Sequence, residues 1–276
     1  MSQVIKVTAK LVLLGTGTPN PDPERQGPSV AVVIDSSIYI VDFGVGIVRR
    51  AAAAGLQVTS LTRAFLTHLH SDHTIGYPDL IFTPAIAGRR KPLEVFGPKG
   101  IIEMTNNIMR AYEVDQNERI SGLEPAREDA YVVNAHEISE GEVYRDELVR
   151  VGAFAVDHGS LESYGYKFET PDRMFVISGD TRPSTNLIEK AKGCDILVHE
   201  VYSVLGLKSR PEEWQRYHKA VHTSTYELAE IANEVRPGLL VLYHQLCWNQ
   251  SENQLISEIS ERYDGEVVSG KDLDAF

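Results

Sequence analysis

The segment Thr67-His68-Leu69-His70-Ser71-Asp72-His73 constrains this chain more than any other stretch of its length. It follows directly on the apolar run 63–66, so three imidazoles and a carboxylate crowd into a turn at a strand end. On extended backbone the side chains alternate with period two, which sends His68 and His70 to one face. Asp72 and His73 then belong to the turn itself and face a second point close by. Imidazole and carboxylate are the ligands that borderline divalent cations such as zinc favour. Three of the nine histidines fall within six residues, a density that a merely polar loop does not require.

One such turn cannot fill two metal shells, so further ligands are expected at other strand ends, where connecting loops carry functional groups. Val156-Asp157-His158-Gly159 closes one apolar run and offers His158. Ile177-Ser178-Gly179-Asp180 closes another and places Asp180 at a glycine-assisted turn. Leu240-Val241-Leu242-Tyr243-His244 closes a third, with His244 at its tip.

Apolar, β-branched runs bounded by Gly, Pro and Asp predict strands at 4–14, 29–35, 38–42, 63–67, 93–96, 149–157, 164–168, 173–178, 195–198 and 239–243. Helical patterns fall at 46–54, 100–112, 184–192 and 223–235. The last carries Ser224 and Glu227 as a capping box and stops at Arg236-Pro237-Gly238. This order predicts an α/β fold, with sheets covered by helices. Two halves meeting near 127–131 are expected to share one core, in a single domain over residues 1–276. The Pro-rich stretch 18–23 reads as a connection. Gly15-Thr16-Gly17-Thr18 lacks the third glycine and following helix of a dinucleotide loop. His199 and Glu200, at the end of the 195–198 strand, are expected either behind the ligands or as a buried hydrogen-bonded pair. Residues 210–218 read as a loop. It sets Trp214, Tyr217 or His218 at the mouth of the pocket, packs them on the surface or lends them to a subunit contact.

The set His68-x-His70-x-Asp72-His73, His158, Asp180 and His244, in that order, resembles the metallo-β-lactamase-fold hydrolases. Leu14-Gly15-Thr16-Gly17, Val41-Asp42-Phe43-Gly44, Gly179-Asp180-Thr181 and His222-Thr223-Ser224-Thr225 place it nearest the branch of ribonuclease Z, arylsulfatases and phosphodiesterases. The resemblance implies a four-layered αβ/βα sandwich with two divalent metal ions, usually Zn2+, at the sheet edge. His68, His70 and His158 would hold the first metal; Asp72, His73 and His244 the second; Asp180 would bridge them. Asp42 would orient a histidine through its other ring nitrogen. Catalysis would rest on a metal-activated water, on Asp72 as its hydrogen-bond partner and on His222 as proton donor to the leaving group. Relatives in this branch are often dimers, so a homodimer is an expectation of the resemblance.

Composition narrows the substrate. With 27 Lys+Arg against 39 Asp+Glu the net charge is −12, which disfavours holding a polyanion by bulk charge. His158 and Asp180 are only 22 positions apart, too close for the long tRNA-gripping arm that the short form of ribonuclease Z usually carries there. The sequence therefore predicts a small-molecule substrate, a phosphodiester or aryl sulfate ester, with no nucleic-acid partner. Ribonuclease Z-type tRNA cleavage and lactone or β-lactam hydrolysis are the alternatives. No leader segment and no membrane span are expected, and the two cysteines read as buried thiols in the cytoplasm.

Overall fold

A computed structural model of the chain describes residues 8–124 and 126–276; the first residues of the strand expected at 4–14 lie outside them. Two mixed sheets face each other. The first runs β1 (Ala9–Gly15), β2 (Ser29–Ile34), β3 (Ser37–Val41), β4 (Arg63–Phe65), β5 (Leu93–Gly97) and β6 (Val133–Glu137), paired in that order. The second is built from β7 (Gly141–Arg145), β8 (Arg150–His158), β9 (Leu161–Glu169), β10 (Met174–Ile177), β11 (Ile196–Tyr202), β12 (Leu239–Leu246) and β13 (Val267–Ser269). Each sheet has an antiparallel half and a parallel half: β3 to β6 are parallel, and so are β10 to β13.

Period-two alternation divides the core. Leu11, Leu13, Val30, Val32, Tyr39 and Val41 point into the space between the sheets, where they meet Tyr166, Phe168, Phe175, Val198 and Val241. Their neighbours Val12, Leu14, Ala31, Val33, Ile38 and Ile40 face outward against helices α1 (Ile47–Ala53) and, beyond the short α2 (Ser71–Thr74), α3 (Tyr77–Ile86). Helices α4 (Ile101–Ala111) and α5 (Glu113–Ser121) complete that side. The far face of the second sheet is covered by α6 (Thr185–Ala191) and, after α7 (Val204–Leu207) and α8 (Glu212–Val221), by α9 (Thr225–Val235) and α10 (Glu252–Ser260). The four-layered αβ/βα sandwich expected from the motif set is what the chain forms.

Local chemistry explains where elements begin and end. The Ser224–Glu227 capping box is formed, and α9 ends with Arg236 in the left-handed region (φ 51°) just before Pro237. The expected loop at 210–218 is instead largely helix. Pro211 caps α8, Glu212 and Glu213 sit in its first turn, and His218 and Lys219 sit in its last, the charge order a helix dipole favours. Strand β11 runs on through His199 and Glu200 to Tyr202, beyond the expected end at 198, because its pairing with β12 continues there after that with β10 has ended. Cys194 is buried as expected, whereas Cys247 is half-buried; neither forms a disulfide.

Contacts across the sandwich fix the strand ends that carry the site. The Tyr166 hydroxyl from β9 donates to the carbonyl of Leu66, just past β4, at 2.7 Å. One residue on, the Thr67 carbonyl accepts the Tyr164 N–H at 2.9 Å. The histidine segment is therefore tied to the opposite sheet at its first residue and at the one just before it. Among the described residues no helix is long and apolar enough to cross a membrane.

Candidate metal centre

The segment after β4 delivers four donors. His68 follows β4 by three residues, and His70, on extended backbone, precedes α2, whose single turn presents Asp72 and His73. His158 is the last residue of β8, and Asp180 sits in the turn after β10, where Gly179 takes a φ of 63°. His244 is not at a strand tip. It lies inside β12 at a bulge: Glu200 pairs with Tyr243 and Val201 with Gln245, which leaves His244 unpaired at φ 43°. A bulge re-aims a side chain that regular pairing would direct elsewhere.

The seven residues form two abutting groups, with the ligand atoms of each group within 4.8 Å of one another: His68, His70, His158 and Asp180; and Asp72, His73 and His244. In the first, His70 Nδ1 is 3.0 Å from His68 Nε2 and 3.2 Å from His158 Nε2. In the second, Asp72 Oδ2 lies 3.2 Å from His244 Nε2 and 3.5 Å from His73 Nε2. Asp180 stands between them, with Oδ2 3.9 Å from His68 Nε2 and 3.5 Å from His244 Nε2, and Oδ1 3.6 Å from His73 Nε2.

The partners behind the histidines decide which nitrogen faces the centre. The Thr67 hydroxyl donates to Asp42 and so accepts the Nδ1–H of His68 at 2.9 Å. His73 donates Nδ1–H to Asp42 at 2.8 Å, and His158 donates Nδ1–H to the carbonyl of Val221 at 2.8 Å. In all three the second nitrogen, Nε2, is left facing the centre, where its lone pair can meet a cation once any proton there has left. His73 Nε2 and Asp180 Oδ1 are buried with no hydrogen-bond partner. Buried polar atoms are ordinarily paired, and nitrogens spaced at 3.0–3.2 Å approach the roughly 3.3 Å edge of a tetrahedron with 2.0–2.1 Å metal–nitrogen bonds. The donor set fits divalent cations.

The crowding of these donors shifts their titration. Burial, then the neighbouring imidazoles, hold His68 and His70 below the usual histidine range. Burial also works against a charge on His73, but Asp42 and Asp180 outweigh it and raise His73 well above that range. Asp180 is held well below the usual carboxylate range: burial opposes this, and His244 and His73 prevail.

His222 caps the C-terminus of α8 and brings its ligand atom within 4.8 Å of those of Asp180 and His244. Its Nδ1 is 3.1 Å from Glu200 Oε1, which also accepts the backbone N–H groups of Thr181 and Thr223 at 3.2 and 3.1 Å. Burial lowers His222 to about 4, while burial and Asp180 raise Glu200 well above the carboxylate range. The pair is therefore inclined to neutrality, with one proton between its two members. His199, one position away on the strand, points off this pair and hydrogen-bonds the Glu200 carbonyl at 2.6 Å. Glu200 is the residue whose role the sequence left open; the signal was a carboxylate flanked by apolar strand residues.

A cleft of about 540 Å³ opens beside Asp72, walled by Val45, Ile75 and the Pro-rich stretch with Pro19, Asp22 and Pro23. That stretch is thus more than a connection. On the other flank, the Tyr217 ring lies 6.3 Å from the ring of His222, and His218 and Trp214 follow outward along α8.

A family profile, the beta-lactamase superfamily domain, matches residues 31–245. The chain belongs to the metallo-β-lactamase superfamily. It is 31% identical over 270 residues to the ribonuclease Z of Mycobacterium marinum, covering 96% of each chain. To the ribonuclease Z of Mycolicibacterium gilvum it is 32% identical over 272 residues, covering 96% of this chain and 94% of the other. Among solved structures, the metallo-β-lactamase fold protein YhfI from Bacillus subtilis superposes with a TM-score of 0.77 at 15% identity, over 98% of this chain and 99% of that one. The short form of human tRNase Z gives a TM-score of 0.74 at 22% identity, over 97% and 98%.

These relatives bear out the resemblance to the hydrolases of this fold and overturn one expectation, that nucleic acid is not a partner. Proteins named ribonuclease Z align over 96% of their own length with a chain in which His158 and Asp180 are 22 positions apart. The missing arm therefore does not set this chain apart from them. A net charge of −12 averages over the whole surface and says nothing of local basic patches, which are what meet phosphates.

Proposed function

We propose that this chain is a divalent-metal-dependent phosphodiester hydrolase acting on RNA, of the ribonuclease Z type. The observation that carries the reading is the Glu200–His222 pair beside the seven-donor cluster, in a chain that matches ribonuclease Z relatives end to end. His68, His70 and His158 would hold one cation, Asp72, His73 and His244 the other, and Asp180 would link them; zinc suits this nitrogen-rich set best. When bound, the cations supply an activated water and neutralise charge on the phosphate oxygens.

The chain's own residues supply the rest. Asp72, at 11% side-chain exposure, is the ligand carboxylate most open to the cleft and is placed to accept a hydrogen bond from the attacking water. Asp42, Thr67 and the Val221 carbonyl keep three imidazoles in one tautomer. Glu200, inclined to hold a proton, faces Nδ1 of His222, so that Nδ1 can take the carboxyl proton as the other ring nitrogen passes its own to the departing oxygen.

The narrower alternative is a small phosphodiester or aryl sulfate substrate. It is favoured by the cleft beside Asp72, whose volume of about 540 Å³ is that of a small-molecule pocket. One comparison separates the two: kcat/KM for a tRNA precursor with a 3′ trailer, for bis(p-nitrophenyl) phosphate and for p-nitrophenyl sulfate. Zinc-loaded protein is used, with Asp180→Ala as the blank. Cleavage of the RNA at a kcat/KM at least a hundredfold above the nitrophenyl diester supports the nuclease. Intact RNA with brisk turnover of either small ester overturns it.

A further inference from the structure

The flank of the site formed by α8 has a composition that the chemistry of the seven donors does not use. Positions 214, 217, 218 and 221 share one stripe of the helix, and three of them are aromatic rings. Trp214 and Tyr217 meet edge to face, with centroids 5.8 Å apart, yet they remain 46% and 42% exposed. Behind them His218 is buried against Trp248, at 4.5 Å between centroids, and braces the row. The row does not wander off over the surface. Tyr217 lies beside His222, and Asp180 and Asp72 are near enough to add to burial in raising its phenol.

Charge around these rings runs against the rest of the molecule. The segment 204–221 holds Lys208, Arg210, Arg216 and Lys219 against Glu212 and Glu213, a surplus of two positive charges in a chain of net −12. Arg216 is paired with Glu212. The Arg210 guanidinium lies 5.9 Å from the Trp214 ring and, among the described residues, has no ion pair and no hydrogen bond. Two half-exposed rings beside an unpaired guanidinium suit a planar, anionic ligand better than an apolar one.

We infer that α8 is a nucleotide-stacking subsite. Trp214 and Tyr217 receive the base of the nucleotide bound beside His222, and Arg210 meets a neighbouring phosphate. The inference rests on the proposed action on RNA and specifies how a single-stranded end is held there. Stacking on an aromatic face is tolerant of sequence, because every base has a π-face.

The test is calorimetric binding of AMP and of ribose 5-phosphate to the zinc-loaded protein, which differ only in the base. AMP is expected to bind about tenfold tighter. That advantage should fall to less than about twofold in Trp214→Ala and Tyr217→Ala and survive in Tyr217→Phe. Both rings are exposed enough for these variants to fold, which unchanged circular dichroism would verify. Equal affinity of the wild type for the two ligands, or an undiminished AMP preference in both alanine variants, overturns the inference. RNA cleavage without any base preference would sink the stacking site and leave the nuclease standing. A base preference without RNA cleavage would support the stacking site and sink the nuclease.

Discussion

The Asp42 carboxylate takes the Nδ1–H of His73 at 2.8 Å while also holding the backbone N–H of Thr67 at 2.8 Å and the Thr67 hydroxyl at 2.9 Å. One buried side chain thus anchors both ends of the histidine segment, from the end of β3 and with its own backbone at φ 60°. Asp42→Asn preserves the shape but offers one acceptor oxygen where two are used. The expected result is a loss of about 10- to 100-fold in zinc affinity, measured by competition with a chromophoric chelator, with the fold retained. An affinity equal to wild type would show that Asp42 serves the backbone turn alone.

Metal loading should release protons. In the metal-free protein burial opposes charge on His73, yet Asp42 and Asp180 raise it well above the ordinary histidine value, which favours a proton there before the cation arrives. A cation can bind Nε2 only after that proton leaves. Affinity must therefore climb as pH rises toward the raised value and flatten above it, where no proton remains to be displaced. Calorimetry of zinc binding in buffers of different ionisation enthalpy should show net proton release at pH 7. No release at that pH would mean that His73 is neutral before the metal arrives.

His222 and Glu200 are expected to act on the leaving group and not on attack. His222→Ala should reduce turnover of a diester with an alkoxide leaving group by about 10²- to 10⁴-fold. The loss for a nitrophenolate leaving group, which departs without a proton, should be less than about tenfold. Glu200→Gln should follow the same pattern more weakly, since it weakens the hold on Nδ1 without removing the donor. Equal losses for both leaving groups in His222→Ala would remove the proton-donor role.

How much of this was legible in the sequence depends on how local each feature is. His68, His70, Asp72 and His73 were readable because strand and turn place them together within seven residues. His158 and Asp180 were readable because apolar runs end just before them. The bulge at His244 was not, since it comes from pairing with β11 and not from residues beside it. Helix α3 was hidden by its prolines. Pro84 cannot donate to the Leu80 carbonyl, and the buried Arg89 guanidinium reaches in to donate there instead, at 3.2 Å. The role of Glu200 was only half visible, because it requires β11 to run past position 198 and α8 to return His222 to it. The expectation of no nucleic-acid partner rested on net charge, which averages away a local surplus such as the two positive charges of residues 204–221.

The turn that carries Asp72 rests on glycines for reasons of space, which gives a test of stability and metal binding together. A Cβ on Gly44 would lie 2.4 Å from the Gly27 carbonyl carbon and 2.6 Å from the Asp72 carbonyl oxygen, both backbone atoms. Neither can swing aside as a flexible side chain would. Gly44→Ala should therefore push the backbone of α2 away from β3 and cost about 1–3 kcal/mol of stability. The second group of donors moves with it, because Asp72 and His73 ride on α2, while His68 and His158 of the first group are held from elsewhere. A zinc titration of Gly44→Ala should thus keep one tight site and lose the other. Gly152→Ala is the control: its nearest neighbour is a carbonyl oxygen at 3.7 Å, ordinary contact, and it should bind two zinc ions with stability within about 0.5 kcal/mol of wild type. Two tight sites in Gly44→Ala would show that α2 tolerates the shift. Loss of both would show that the two groups of donors are mechanically one.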